Sequence, residues 1–328
     1  MIDLRYSSLK FPLSDDVRRS LEDAATEASS YPDPKYEELR RILAGDAGAD
    51  VSEVVVGNGL DDVIDQLSRI LEGPSFIPVP AFSEFARACK RNRKGFNIVP
   101  CLKNGRMDLA SLFALGRLKG SVVWLANPNN PTGTVYDDEQ IEMVLSTDAM
   151  VVLDEAYLEF LPIQNSKKWK NHDNVIRLRT FSKALGLPGA RLGYAISSNK
   201  AVLKAFESQR PLFPVNCMGL AAARCLKTLR SAMPAKIATV NNTRKRFVER
   251  IARAGYEAIP SVANFVVVDF RTREMTERVL QKMRENDILL LPPWDEEFSG
   301  LPDRYIRFVI GENDEMDAVA NVLEAIRK

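Results

Sequence analysis

The sequence has almost no histidine and no paired cysteines. His172 is the only histidine in 328 residues, and the four cysteines, Cys89, Cys101, Cys217 and Cys225, show no C-x-x-C spacing. Zinc sites are built from clusters of these two residue types, so we expect no metal site. Any mechanism with a histidine base has one candidate. We expect the cysteines to be reduced and mostly buried, as in a cytoplasmic protein.

The chain also lacks an excess of charge of either sign. Lys and Arg number 45 against 44 Asp and Glu, which gives a formal net charge of +1. Nucleic-acid and membrane-surface proteins draw much of their affinity from excess positive charge, so the balance argues against both partners. The basic run at 90–94 is expected to be the solvated end of a helix. No apolar run reaches the length of a membrane span, and the start, MIDLRYSSLK, lacks the apolar core of a signal peptide.

Apolar runs that alternate with helical patterns fill the first two thirds of the chain. The strands that we predict cover residues 53–56, 76–79, 96–100, 121–126, 150–154, 175–180 and 193–197. Runs such as SVVWLA and MVVLD are continuously apolar, which is typical of strands buried on both faces of a parallel sheet. With helices over 60–72 and 137–145, this order predicts an α/β fold with a mostly parallel seven-stranded sheet between helices.

From about Val215 the pattern changes to that of a smaller α+β domain. It has two helical stretches up to about residue 254, and the elements after them are a strand (263–270), a helix (275–286), strands near 288–291 and 305–310, and a helix from Asn313. We predict a large cofactor-binding domain over 31–228 and a small domain from 1–30 and 229–328. A further helix, at 14–29, could pack on either part.

Two polar segments follow predicted strands. NPNNPTGTVYDDEQ, residues 127–140, comes directly after one strand, at the end where open α/β sheets place ligands. VVLDEAYLEF places Asp154 and Glu155 at the end of another strand, with Tyr157 close behind. A carboxylate at the end of a buried strand costs desolvation unless a cation meets it. Ordinary strand ends would explain both segments as well as a site would.

Lys183 stands in a nearly apolar segment, TFSKALGLPGARLGY. Apolar surroundings favour the uncharged form of an amine, which is its nucleophilic form. The segment alone fits a loop lysine beside a strand at least as well. In VVVGNGLDDVI a glycine pair precedes a helix whose start would suit a phosphate, but the third glycine of a dinucleotide fingerprint is absent. Phe82, in PAFSEF, follows another strand end, where core packing would explain it.

In their order along the chain, these features resemble the fold-type I, pyridoxal-phosphate-dependent aminotransferases of classes I and II. NPNNPTG, DEAYLEF and SKALGLPGARLGY are most similar to the histidinol-phosphate aminotransferase branch and to the related threonine-phosphate decarboxylases. The resemblance covers roughly residues 31–311. It implies pyridoxal 5'-phosphate as cofactor, and an amino acid or amino phosphate and a 2-oxo acid, such as 2-oxoglutarate, as substrates.

The resemblance also implies roles around the cofactor ring. Lys183 would form the Schiff base with the cofactor aldehyde and, once released, move a proton at the substrate α-carbon. Asp154 would pair with the ring nitrogen and keep it protonated. Tyr157 and Asn130 would hydrogen-bond the phenolic oxygen of the ring, and Phe82 would stack on its face.

Other matched residues would bind the cofactor phosphate or the substrate. Arg191 would grip the phosphate with the help of Ser182, Gly59, Leu60 and Asp61. Tyr31, in YPDP, matches a tyrosine that reaches the phosphate in the neighbouring subunit, which implies a homodimer with shared active sites. Arg307, in YIRFVIG, matches the arginine that takes the substrate carboxylate, or the alcohol end of histidinol phosphate. Asn264, in SVANF, matches a position near the site.

Three positions depart from the family pattern. The N-terminal Asn-Glu-Asn-Pro segment that lines the substrate pocket is replaced by LRYSSLKFPLS. Leu291 stands where the histidinol-phosphate enzymes usually carry an arginine for the substrate phosphate, and Leu60 replaces a small hydroxyl residue. The first two weaken histidinol phosphate as substrate. The cations that could replace the arginine are Arg5, Lys10 and Arg304.

Several other functions remain open at this point. They are threonine-phosphate decarboxylation, transfer from an aromatic or other amino acid, a regulator that binds the same cofactor, and a nicotinamide-dependent oxidoreductase. The regulator would need an added DNA-binding domain, for which the chain has neither room nor a basic patch. The oxidoreductase depends only on the incomplete glycine pattern.

Overall fold

The computed structural model describes residues 1–161, 169 and 172–327. Its strands are β1 (Ile2–Asp3), β2 (Val54–Asn58), β3 (Ser75–Val79), β4 (Phe96–Pro100), β5 (Leu102–Lys103), β6 (Arg106–Met107), β7 (Val122–Ala126), β8 (Met150–Asp154), β9 (Val175–Thr180), β10 (Leu192–Ile196), β11 (Glu257–Ile259), β12 (Phe265–Asp269), β13 (Ile288–Leu289) and β14 (Tyr305–Val309). Its helices are α1 (Asp15–Ala24), α2 (Glu37–Ala47), α3 (Leu60–Ile70), α4 (Glu84–Arg91), α5 (Ala110–Phe113), α6 (Asp138–Leu145), α7 (Lys200–Gln209), α8 (Cys217–Arg224), α9 (Leu226–Arg253), α10 (Arg273–Glu285) and α11 (Asn313–Arg327).

The seven predicted strands form one sheet, in the order β2-β10-β9-β8-β7-β3-β4. Only β10 runs antiparallel to its neighbours, β2 and β9. Every residue of β7 is buried, as the continuous apolar run predicts for a strand covered on both faces. The predicted α/β fold with a mostly parallel seven-stranded sheet is therefore confirmed, and the predicted strand ends differ from the observed ones by at most two residues.

The register of the sheet brings three strand ends to one edge. Ala126, the last residue of β7, pairs with Asp154, the last residue of β8, and Asp154 pairs with Leu178 of β9. Parallel strands end on the same side, so the segments that follow them meet above that edge. These are the segments that the sequence singles out for their chemistry.

The second half of the chain adds a smaller antiparallel sheet of β11, β12 and β14. The long helix α9 packs against α11, and α10 also contacts α11. The N-terminal residues join this part, because β1 pairs in parallel with β13. Helix α1 packs on α8, so the predicted N-terminal helix lies against residues that we assigned to the large domain.

The four cysteines and the single histidine are the scarce residue types of this chain. Cys89 and Cys101 are buried, whereas Cys217 and Cys225 are half-buried, so the expectation of mostly buried cysteines holds for two of the four. The imidazole of His172 lies 3.4 Å from the Glu142 carboxylate. Within residues 1–161, 169 and 172–327, no group of His, Cys, Asp and Glu is arranged to hold a metal ion, and no helix combines the length and apolarity needed to cross a membrane.

Candidate active site

The NPNNPTG turn is fixed by its own side chains. The Asn129 amide donates to the Pro80 carbonyl at 3.0 Å and to the Thr132 hydroxyl at 2.8 Å. Gly133, at φ +72°, closes the turn and donates its N–H to the Asn129 carbonyl. Asn130 is thereby held in the turn that follows β7, and the Asn127 N–H ties the start of this turn to the Asp154 carbonyl at 2.8 Å.

Lys183 is half-buried beside Tyr157. Its Nζ lies 5.4 Å from the centre of the Tyr157 ring and 2.8 Å from the Ser7 hydroxyl. That hydroxyl is in turn 2.7 Å from the Tyr157 hydroxyl. The structure therefore brings together two predicted catalytic residues and a third residue, Ser7, that the sequence did not predict.

The pKa of the Asp154 carboxyl is strongly shifted in the folded protein. The Asp154 side chain is almost fully buried, and this loss of hydration raises the pKa of the carboxyl to about 6. The Ala156 N–H, 2.9 Å from Oδ1, and the positive charge of Lys183 oppose that shift. One amide donor leaves most of the acceptor capacity of a carboxylate unused. The site therefore has a place for another donor, and a protonated ring nitrogen would suit it.

Arg307 reaches the same site from β14. Its Nη1 donates to Asn130 Oδ1 at 2.8 Å, which joins the predicted substrate residue to a predicted cofactor residue. Its Nη2 lies 3.2 Å from the Arg5 carbonyl and 3.4 Å from Glu296 Oε1. Asn130 and Arg307 are each only 8% exposed, so these bonds hold the guanidinium in a defined position. The sequence did not predict Glu296 in the site.

The start of α3 forms a narrow cradle together with β10. Gly59 caps the helix at φ +81°, and a Cβ added there would collide with the Arg191 guanidinium. A Cβ added at Gly193 would lie 2.6 Å from the Leu60 amide nitrogen. The backbone N–H groups at the start of a helix and an arginine beside them favour an anion such as a phosphate. Leu60 can contribute only its backbone N–H there, because its buried side chain carries no hydrogen-bonding group.

The other predicted phosphate contacts lie around this cradle. Arg191 donates from Nη2 to Asp61 Oδ2 at 3.0 Å, so Asp61 neutralises the guanidinium that would meet the phosphate. Ser182 follows β9, and its N–H donates to the Thr180 hydroxyl. Asp61, which was predicted to help bind the phosphate, is therefore an ion-pair partner of Arg191 in the structure.

Phe82, Tyr31 and Asn264 occupy three different settings. Phe82 is half-buried and meets Phe85 edge-on at 5.8 Å, which fits core packing and leaves part of its ring accessible. Tyr31 is 84% exposed and stacks on Phe213 at 4.6 Å between ring centres. Asn264 is fully buried and donates to the Ser7 carbonyl at 3.2 Å. Its Oδ1 is buried without a hydrogen-bond partner in the part of the chain that the structure describes.

The cations proposed to replace the missing arginine are already paired with carboxylates. Three ion pairs account for them: Arg5 with Asp3 at 2.8 Å, Lys10 with Glu315 at 3.1 Å, and Arg304 with Asp269 at 3.2 Å. The hydrogen bond from Arg5 lowers the pKa of Asp3 to about 2, so that carboxyl stays charged at neutral pH. A substrate phosphate would have to compete with these carboxylates.

The donor set fits pyridoxal 5'-phosphate. The site offers an amine for an aldehyde, a buried carboxylate for a ring nitrogen, amide and phenol groups for a ring oxygen, and a glycine-lined helix start with an arginine for a phosphate. Asn264 Oδ1, which has no hydrogen-bond partner among the described residues, would accept a hydrogen bond from a bound polar group. These are properties of the residues themselves, independent of any relative.

The sequence and the fold are similar to those of known proteins. The family model described as "Aminotransferase class I and II" matches residues 1–323. The chain is 30% identical over 328 residues to a histidinol-phosphate aminotransferase of Thermotoga sp. (strain RQ2), which covers 99% of this chain and 92% of that protein.

Solved structures share the fold of this chain. The histidinol-phosphate aminotransferase from Sinorhizobium meliloti in complex with pyridoxal-5'-phosphate has a TM-score of 0.87 and 27% identity, over 99% of this chain and 90% of that one. The L-threonine-O-3-phosphate decarboxylase from Porphyromonas gingivalis has a TM-score of 0.84 over 99% of each chain. Its 22% identity shows a common fold alone.

Proposed function

The chain belongs to the class I and II aminotransferases, and from that membership we propose that Lys183 is the residue that bonds to the cofactor and drives amino transfer. The protein is a transaminase that uses pyridoxal phosphate. The observation that carries the assignment is the grouping of the Lys183 amine, the buried Asp154 carboxyl and the Tyr157 hydroxyl at one sheet edge. The acceptor that we propose is 2-oxoglutarate, with glutamate as its product.

Each residue of the site has a separate task. When bound, pyridoxal phosphate supplies an aldehyde carbon for amines and a ring that takes up electrons. Asp154 would hold the ring nitrogen in its protonated form, since a buried carboxylate needs a cationic partner. Asn130 and Tyr157 would hydrogen-bond the ring oxygen, and Phe82 would cover a ring face.

The cradle at α3 would hold the phosphate. Arg191 supplies the charge, and Ser182 and the backbone N–H groups after Gly59 supply further donors. Asp61 would have to release Arg191 in part, since its carboxylate occupies Nη2.

Proton movement would fall to Lys183. Once its amine is free, Nζ would take the proton from the α-carbon of the donor and deliver it to the aldehyde carbon of the cofactor, and it would move a proton in the opposite direction when the 2-oxo acid is converted. Tyr157 and the Ser7 hydroxyl lie within hydrogen-bond distance of one another next to that nitrogen and would limit its movement. Arg307 would orient the donor by its carboxylate or alcohol end, since Asn130 and the Arg5 carbonyl fix the plane of the guanidinium.

The first candidate donor is histidinol phosphate, the substrate in the names of the relatives. A second candidate is an amino acid without a phosphate, such as an aromatic amino acid. The specific observation in its favour is that Arg5, Lys10 and Arg304 are all paired with carboxylates, and that Glu296 adds a negative charge beside Arg307. With Leu291 in the usual arginine position, a phosphate dianion would have to compete with these carboxylates for Arg5, Lys10 or Arg304.

A donor screen tests the proposed function. The loaded enzyme is mixed with histidinol phosphate, aromatic amino acids, aspartate or threonine phosphate, and loss of its visible cofactor absorbance is followed. We expect conversion by at least one donor, and its reversal by 2-oxoglutarate with formation of glutamate. Release of carbon dioxide without formation of a keto acid would show that the protein catalyses decarboxylation and not transamination. Conversion by aromatic amino acids but not by histidinol phosphate would select the second candidate.

We further propose that the protein forms a homodimer with shared active sites. We also propose that it acts in the cytoplasm. Tyr31 and Phe213 stack on the surface, and Leu212 beside them is 62% exposed. Exposed apolar groups that lie together are typical of protein interfaces. Tyr31 would then contact the cofactor phosphate of the partner subunit.

A further inference from the structure

The hydroxyl of Ser7 bridges the two central residues of the site. It lies 2.8 Å from Lys183 Nζ and 2.7 Å from the Tyr157 hydroxyl, and the Ser7 side chain is buried. Both distances are those of good hydrogen bonds. Because Ser7 is 176 residues away from Lys183 in the sequence, the contact depends on where the N-terminal segment is placed.

The N-terminal segment is fastened both upstream of Ser7 and at Ser7 itself. Upstream, β1 pairs with β13, and Arg307 donates to the Arg5 carbonyl. At Ser7 itself, the Asn264 amide donates to the backbone carbonyl at 3.2 Å. Two residues of the substrate side therefore hold the segment in place, so the hydroxyl has a defined position relative to Lys183.

A serine hydroxyl can hold an amine in either protonation state. It carries one donor and two acceptor positions. It can accept from a charged Lys183 while donating to Tyr157, or donate to a neutral Lys183 while accepting from Tyr157. Burial keeps competing water away from this short chain of hydrogen bonds. An alanine in the same position would offer neither contact.

We propose that Ser7 is a positioning residue that holds the Lys183 amine whenever this amine is not covalently bound. It keeps Nζ directed at the site during capture of the cofactor and while Lys183 moves the proton of the donor. This inference depends on the proposed role of Lys183. It assigns a function to a segment in which the family motif is absent.

The test compares Ser7→Ala with Ser7→Thr and with Ser8→Ala. Threonine keeps the hydroxyl, and Ser8 is the adjacent, half-buried serine on the same segment. The first readout is the growth of visible absorbance when cofactor-free protein is mixed with saturating pyridoxal phosphate in a stopped-flow instrument. The second is kcat and KM for the best donor of the screen, and the third is the melting temperature of the cofactor-free protein.

Ser7→Ala should capture the cofactor and turn over about tenfold more slowly, which corresponds to the loss of one hydrogen bond to an amine. KM should stay near the wild-type value, because the donor does not contact Ser7 in this proposal. Ser7→Thr should recover most of both rates, and Ser8→Ala should match the wild type. Ser7→Ala should still melt cooperatively and only a few degrees below the wild type, because it loses the hydrogen bonds of one buried hydroxyl. The melting temperatures of Ser7→Thr and Ser8→Ala should be close to that of the wild type.

Three results would overturn the inference. They are wild-type rates in Ser7→Ala, an equal loss in Ser7→Thr and Ser7→Ala, and an equal loss in Ser8→Ala. The same samples also test the proposed function separately. If wild-type protein does not attach the cofactor to Lys183, the function is wrong. If it does and Ser7→Ala behaves like the wild type, only the role of Ser7 is wrong.

Discussion

At the scale of single residues, burial determines how Asp154 behaves. The apolar strand β8 carries the carboxyl into the interior, where the loss of hydration raises its pKa to about 6. The unfolded chain would show the ordinary pKa, 3.8. A group that is easier to protonate in the folded state makes stability depend on pH.

The first prediction concerns the cofactor-free protein. Between pH 4 and 6 the folded state retains a proton on Asp154 that the unfolded state has released, so this contribution to stability is lost as the pH rises. The difference in free energy of unfolding between the wild type and Asp154→Asn should change by about 3 kcal/mol as the pH rises from well below 3.8 to well above 6, and it should stay constant outside that range. Urea unfolding at a series of pH values measures it.

The control for this prediction is Asp16→Asn, an exposed carboxylate on α1. The free energy of unfolding of Asp16→Asn, plotted against pH, should run parallel to that of the wild type. If Asp154→Asn also runs parallel to the wild type, the carboxyl is not perturbed by burial as described.

At the scale of elements, the cradle depends on how closely β10 approaches the start of α3. Gly193 has no room for a side chain, because an added Cβ would lie within 2.9 Å of three backbone atoms of Gly59 and Leu60. Backbone cannot move aside as a flexible side chain can. A methyl group there must therefore displace the helix start that would hold the phosphate.

The second prediction follows for Gly193→Ala. We expect a loss of about 1–3 kcal/mol in the free energy of unfolding, as for an overpacked core, and weaker retention of pyridoxal phosphate. Gly189→Ala is the matched control, because no atom lies within 4 Å of a Cβ placed there. Chemical unfolding and a cofactor titration measure the two effects. Equal behaviour of the two variants would contradict the cradle.

A buried ion network holds the strand that leads to Lys183. Arg177 and Arg179 of β9 pair with Glu155 and Glu159, both at 2.9 Å, and Arg230 of α9 reaches Glu159 at 3.0 Å. Buried charges in such networks are costly to leave unpaired, so the partners keep β9 and α9 in one relative position. Together with β8, this network fixes where Lys183 emerges from the sheet.

At the scale of the whole molecule, the exposed apolar surface around Tyr31, Leu212 and Phe213 concerns assembly. We predict that the wild type is a dimer by light scattering and that Leu212→Glu shifts it toward monomer, because a charge in an apolar interface would be desolvated without a partner. The monomer should also hold the cofactor less tightly, since Tyr31 of the partner would be lost. Met143→Glu, at another exposed apolar residue on α6, should remain dimeric. A monomeric wild type, or a dimeric Leu212→Glu, would refute the proposed interface.

The whole molecule also shows what could be predicted from the sequence. Continuous apolar runs predicted the seven strands, because that pattern is local. Asp154, Asn130 and Lys183 were predicted as cofactor residues by the resemblance to the aminotransferases, since their segments alone also fit ordinary strand ends and a loop lysine. Ser7 and Glu296 could not be predicted, since each reaches the site from a distant segment without a motif of its own. The pairing of Arg5, Lys10 and Arg304 with carboxylates likewise depends on packing between distant parts of the chain.

Borohydride trapping tests most directly whether Lys183 bonds to pyridoxal phosphate. Reduction of the loaded protein makes the carbon–nitrogen bond between cofactor and lysine permanent, and peptide mass spectrometry then locates it. We predict a pyridoxyl group on Lys183 alone, and none in Lys183→Ala, which should keep the dimer but lose turnover. A pyridoxyl group on another lysine, or its absence from the wild type, would show that Lys183 does not form the bond to the cofactor.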